Sequence, residues 1–317
     1  MENMDETKQA ELRVGVEKNN IIQNLYSNMS DEASVNSRCA CNKLKASTAI
    51  GNIEANGKKS EVPTYVYAMG RIEPRFPSIS VEKEFAQATG RAVTAGLTDR
   101  QMLHDVLTNR ANRYLLRQMC WVMTIEGLET YILVPRVSED IDLLAEAIRP
   151  NPSQTDVDVV IGVKGPIAPP GMCNGLMVPF VAFDQIYSFD ENSLIKSIPK
   201  PAEIADEKFG PVAKILLDRI LQVADNAGAT DEHRALNYLA MRYSAIYNSA
   251  SEMFERDYSL AGVDIGHSRL SGVRKVVSVI FSYVNRKTDV TEKYFVRVDV
   301  TDEFPFLVTK LAPYFDR

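Results

Sequence analysis

The hydrophobic pattern changes period several times along the chain, and each change marks an element. Tyr65-Val66-Tyr67-Ala68-Met69-Gly70-Arg71-Ile72 is rich in strand formers, and Glu73-Pro74-Arg75-Phe76-Pro77 then predicts two breaks. A helix is expected from Ser80 to Thr89, with Gly90 placed for a left-handed C-terminal turn. Thr98 and Gln101 have the spacing of a capping box, so a second helix should start at Asp99 and bury Met102, Leu103, Val106 and Leu107. Cys120 to Ile125 and Thr130 to Val134 flank Gly127 as a hairpin, and Ser138 can cap a helix carrying Ile141, Leu144 and Ile148.

Two more strand-like runs, Val157 to Val163 and Leu176 to Phe183, are joined by a segment dense in Gly and Pro. Beyond Pro199-Lys200-Pro201 the pattern turns helical. Phe209 to Ala227 and Asp231 to Tyr258 read as two long helices, the second with a continuous apolar stripe through Leu236, Leu239, Ala240, Tyr243, Tyr247, Ala250, Met253 and Phe254. Arg274 to Val284 and Thr291 to Val300 alternate as a second hairpin. The expected class is α+β: a flexible tail over 1–61, a middle module over 62–204, and a C-terminal module of two long helices and a hairpin over 205–317. Residues 1 to 60 predict the tail because Tyr26 is their only aromatic and they contain no proline.

Composition narrows the possible partners. The 317 residues carry 36 basic and 42 acidic side chains, a net charge of −6, so no basic excess is present for nucleic acid or an anionic membrane. The charged N-terminus is followed by no apolar stretch of spanning length, which predicts a cytoplasmic protein. Four cysteines, Cys39, Cys41, Cys120 and Cys173, are too scattered for a disulfide framework, and reduced thiols are expected.

Catalytic settings are missing from the sequence. The three histidines, His104, His233 and His267, stand outside recognisable catalytic frames, no protease triad is found, and neither a Gly-x-Ser-x-Gly elbow nor a phosphate-loop pattern occurs. Zinc is the metal alternative: Cys120, Cys173 and a histidine could converge, or be shared across a homodimer. Two polar segments stand out as binding candidates. Arg71, Glu73 and Arg75 lie on a stiff connection suited to holding a carboxylate or a peptide backbone, and Cys173-Asn174-Gly175 forms a turn in the Gly/Pro-rich segment. The 165–175 segment is also where an uncatalogued enzyme would place its site.

Three segments resemble a known family: Tyr65 through Pro77, Met172-Cys173-Asn174-Gly175-Leu176-Met177-Val178-Pro179, and Glu232-His233-Arg234-Ala235-Leu236-Asn237-Tyr238. They are similar to the C-terminal, non-protease region of cyanobactin maturation proteases of the PatA/PatG type, over about residues 62 to 317. In that family the region follows a subtilisin-like protease domain and has no assigned biochemical role. The resemblance carries no catalytic residue over. It implies a freestanding accessory protein that binds a precursor peptide or a maturation enzyme of a ribosomally synthesised, post-translationally modified peptide. The tail segment Ser37 to Asn42, with Cys39 and Cys41, could itself resemble a modified peptide substrate.

Overall fold

The computed structural model describes residues 63–90, 96–153, 155–199, 206–223, 225–269 and 272–315. The expected tail, with Cys39 and Cys41, lies outside them. Residues Thr64–Arg317 form one compact unit, α+β in class. The first strand, β1 (Thr64–Arg75), leads through helices α1 (Ile79–Thr89), α2 (Asp99–Thr108) and α3 (Arg113–Gln118) to the hairpin β2 (Cys120–Ile125) and β3 (Leu128–Pro135). A short helix α4 (Ile141–Ala147) precedes the long strands β4 (Asp156–Ile167) and β5 (Pro179–Asp190). These five strands close into a barrel in the order β1-β2-β3-β5-β4, antiparallel except for the β3–β5 pair.

Helices α5 (Glu191–Ser197), α6 (Asp206–Leu221), α7 (Asp231–Arg242) and α8 (Ala245–Glu255) follow. The chain ends in an antiparallel sheet of β6 (Tyr258–His267), β7 (Val276–Asn285), β8 (Thr291–Asp299) and β9 (Phe306–Pro313), in sequence order.

Strand alternation separates two cores. Val66, Ala68 and Ile72 of β1, Trp121 and Met123 of β2, Tyr131 and Leu133 of β3, Val160 of β4 and Val181 and Phe183 of β5 join one cluster with buried residues of α1 to α4. All five strands contribute, so this face is the barrel interior. The opposite side chains, Tyr67, Met69, Val159 and Ile161, join a second cluster with Phe209, Leu216, Leu236, Leu239, Ile246 and Met253 of the helices, and with Val277, Val279, Phe281, Val296 and Val298 of the sheet. Helix α7 touches both β1 and β7. The apolar stripe on residues 236–254 is therefore covered inside the chain except at Phe254, which is 38% exposed, and packing continues across the expected junction at 204/205.

Several elements depart from their expected form for visible reasons. The strand β1 runs through Pro74 to Arg75, because beyond Gly70 it has β2 on one side only, and an open edge tolerates a residue without an N–H. The expected single helix over 231–258 breaks at Tyr243 (φ −127°, ψ 87°). There the Tyr243 hydroxyl accepts from Leu311 N–H (2.9 Å), while Tyr247 donates to the carbonyl of Ala240 (2.8 Å) and satisfies an acceptor freed at the helix end. Gly90 is right-handed (φ −63°), with its N–H bonded to Ala86 O. Ser138 belongs to a 3-10 turn before α4 and does not cap it. The capping box forms as expected: Gln101 N–H donates to Thr98 Oγ1 (3.3 Å), and Thr98 N–H to Gln101 Oε1 (3.0 Å).

Candidate functional site

Arg71, Glu73 and Arg75 alternate with buried Ile72 along the end of β1, so all three stand on the solvent side. Arg75 is ion-paired with Glu129 of β3. Arg75 is exposed and Glu129 half-exposed, so this surface pair adds little stability. In the strand register Arg75 faces Cys120 of β2, and Cys120 is bonded to Cys173 in a disulfide with a Cα–Cα distance of 5.8 Å. This corrects the expectation of reduced thiols at these two positions, and with both sulfurs joined neither is a thiolate ligand for zinc. A small apolar cluster of Val122, Ile132, Ala168 and Phe180 surrounds the bridge.

The disulfide fixes the 169–176 turn against the strand end. Within that turn Gly175 N–H donates to Pro170 O (2.9 Å) and Leu176 N–H to Cys173 O (3.0 Å). Asn174 (φ 47°) and Gly175 (φ 88°) are both left-handed, a conformation tolerated by Asn and Gly. The result is a groove of about 370 Å³ lined by Pro74, Arg75, Phe76, Ser78, Ile79, Glu82, Cys173 and Asn174. Two segments far apart in sequence thus meet at one surface. Arg75, Cys173 and Asn174 line it; Arg71 and Glu73 lie further along β1, and Gly175 shapes the turn behind it. Ile79 is 70% exposed at the groove wall, and Phe76 packs on Phe85 with ring centroids 5.2 Å apart.

The groove carries few titratable groups. Its titratable lining is one guanidinium and one carboxylate, and its serine caps α1, accepting from Val81 N–H (3.5 Å). Among the described residues no group of three or more His, Cys, Asp or Glu side chains is arranged to hold a metal. His104 is 2.9 Å from Asp105, and His267 is 3.0 Å from Glu232. Burial lowers the pKa of His233, which favours the neutral ring.

The third family-like segment holds the fold together. Arg234, 2% exposed, donates to the carbonyls of Val300 (2.8 Å), Asp302 and Glu303 (3.2 Å), so its fork secures the β8–β9 connection. Asn237 exchanges hydrogen bonds with Asn226 and also donates to Tyr67 O.

Sequence reasoning missed a half-buried acidic pair near that connection. Arg136 Nη1 lies 2.5 Å from Asp184 and 3.2 Å from Glu303. Burial, reinforced by the neighbouring Asp184 carboxylate, pushes Glu303 up to about 7, whereas Asp184 is held below its ordinary value by its hydrogen bonds and by Arg136, against an opposing burial effect. No short motif signals this cluster, because its members come from positions 136, 184 and 303.

A solved structure described as the PatG domain of unknown function aligns with 79% of this chain and 98% of its own, at a TM-score of 0.64 and 16% sequence identity. That likeness establishes the shared fold. Residues 203–314 match the family described as PatG C-terminal. Curated proteins include no match. Among the described residues no helix is long and apolar enough to cross a membrane.

Proposed function

We propose that the chain is a noncatalytic accessory module in the maturation of a ribosomally synthesised, post-translationally modified peptide, docking a precursor peptide or a maturation enzyme at the groove between β1, α1 and the 173–174 turn. The observation that carries this reading is the convergence of Arg75, Cys173 and Asn174 on one groove of about 370 Å³. An extended segment laid there could place a carboxylate on Arg75 and an apolar side chain against Phe76 and Ile79. The disulfide keeps the turn in place before any partner arrives, which lowers the ordering cost of binding.

The test is a pull-down of the tagged full chain with the precursor peptide and the protease of neighbouring genes, followed by titration of whichever partner is retained. Ile79→Asp places a carboxylate at the first position of α1, where the helix tolerates it. It should weaken binding by about ten-fold or more with melting unchanged. Unaltered affinity in this variant, or retention of neither component, overturns the proposal.

A further inference from the structure

A row of side chains crosses the outer wall of the barrel. Tyr67 of β1 is paired in register with Ile161 of β4, and Ile161 with Gln185 of β5. Tyr238 and Arg242 of α7, one helical turn apart and so on one face, stand over this row. Phe304 and Pro305 from the β8–β9 connection close another side. Together with Tyr187 these residues line a cavity of about 190 Å³.

Its polar equipment is selective. The Arg242 guanidinium lies over the Tyr187 ring at 5.8 Å, and among the described residues no carboxylate pairs with it, in contrast to Arg136, Arg149 and Arg256. Tyr187 donates its hydroxyl proton to Gln185 Oε1. The Tyr67 and Tyr238 rings meet edge to face at 6.5 Å. Burial holds the Tyr67 phenol far above its ordinary pKa, so it remains a neutral donor. The acids next in sequence to the lining do not cancel the Arg242 charge: Asp184 is engaged by Arg136, and Glu303 also faces that guanidinium.

We propose that this cavity binds an organic carboxylate, its two oxygens on the planar fork of Arg242 and its apolar body on Tyr67, Tyr238 and Phe304. A guanidinium presents paired N–H groups at the spacing of a carboxylate, and an aromatic floor favours a ligand with an apolar or aromatic body. One cation, with no second in the lining, matches a singly charged carboxylate better than a phosphate. A free acid and the C-terminal residue of a peptide share this chemistry. The site uses β4, β5, α7 and the β8–β9 connection, and so stands apart from the groove at the end of β1.

Calorimetric titration of the full chain tests it, using N-acetyl-phenylalanine, its amide, inorganic phosphate, and a pentapeptide ending in phenylalanine with a free carboxyl. The acid should bind about ten-fold or more tighter than the amide. Arg242→Gln should erase that difference without changing the melting temperature, since Arg242 is exposed and has no ion pair to lose. Ile79→Asp, at the separate groove, should leave the difference intact. A pentapeptide about ten-fold tighter than N-acetyl-phenylalanine identifies a chain terminus as the ligand, and equal affinities identify a free acid. The proposal is overturned by equal binding of acid and amide, by phosphate binding as tightly as the acid, or by no heat from any acid up to about 10 mM.

Discussion

The Nδ2 amide of Asn237 donates to the main-chain oxygen of Tyr67 at 2.8 Å, across 170 residues of sequence. The same side chain exchanges hydrogen bonds of 2.7 and 3.1 Å with Asn226, and both asparagines are buried. Helix α7 and the first barrel strand are thus joined by a small, fully occupied polar network. Asn237→Ala would strand the Tyr67 carbonyl and the Asn226 amide away from water. Chemical denaturation should show a loss of about 2–4 kcal/mol, and a loss below about 0.5 kcal/mol would mean that water replaces the network.

Gly228 makes the neighbouring contact. Its carbonyl accepts from Tyr67 N–H at 2.8 Å, its φ is +70°, and an added Cβ would lie 2.3 Å from Tyr67 O. Both backbone conformation and space demand glycine. Gly228→Ala should cost more than about 2 kcal/mol in denaturant titrations; a wild-type midpoint would show that the 225–230 connection can shift freely.

Reduction of Cys120–Cys173 should lower stability without dismantling the fold. The bridge closes a loop with a sequence separation of 53, and releasing such a loop costs about 2–4 kcal/mol in the chain-entropy account. Cys173→Ser should melt at the temperature of the reduced wild type and should no longer respond to dithiothreitol. Identical melting of oxidised and reduced wild type would refute this prediction.

Glu303 sets a pH window. Its folded value, about 7, lies above its ordinary 4.5, so the folded chain holds a proton that the unfolded chain releases earlier. The stabilisation is complete below about pH 4.5 and is lost as pH rises through 7. Asp184, shifted downward, acts in the opposite sense and only at lower pH, where acid removes its contribution. Glu303→Gln should flatten the decline in melting temperature between pH 5 and pH 8, at wild-type or better stability at the alkaline end. A wild-type slope in this variant would place the titration elsewhere.

Local chemistry was legible in part: the turns expected at Gly90 and Ser138 take other forms, but other local signals held. Thr98 and Gln101 announced their capping box, and Glu126-Gly127 supplied the two positive-φ residues of the β2–β3 turn (50° and 81°). Long-range pairing left no comparable trace. Nothing in the alternation of β3 distinguishes a parallel neighbour from an antiparallel one, and Cys120 and Cys173 read as isolated thiols because their proximity depends on barrel closure. The β1 and 173–175 segments were singled out separately, each for its own stiffness; that Arg75 and Asn174 line one groove follows only from the strand register. The apolar stripe of α7 and α8 was visible, but its period could not say whether the covering surface was this chain or another.

The seam between β1 and β4 has a consequence for the order in which the molecule assembles. Strand β1 is made before the other barrel strands, yet one of its two neighbours is β4, and its outward face is covered by helices that follow the whole barrel in sequence. During synthesis its early pairing therefore falls to the β2–β3 hairpin, a local structure that can form as soon as it emerges. The ring then closes late, when β4 displaces solvent from Thr64–Gly70. Such distant pairings slow folding because loop closure precedes their reward. A chain arrested before α7 would present Tyr67, Met69, Val159 and Ile161 to solvent, a surface for holdase chaperones until the helical layer arrives.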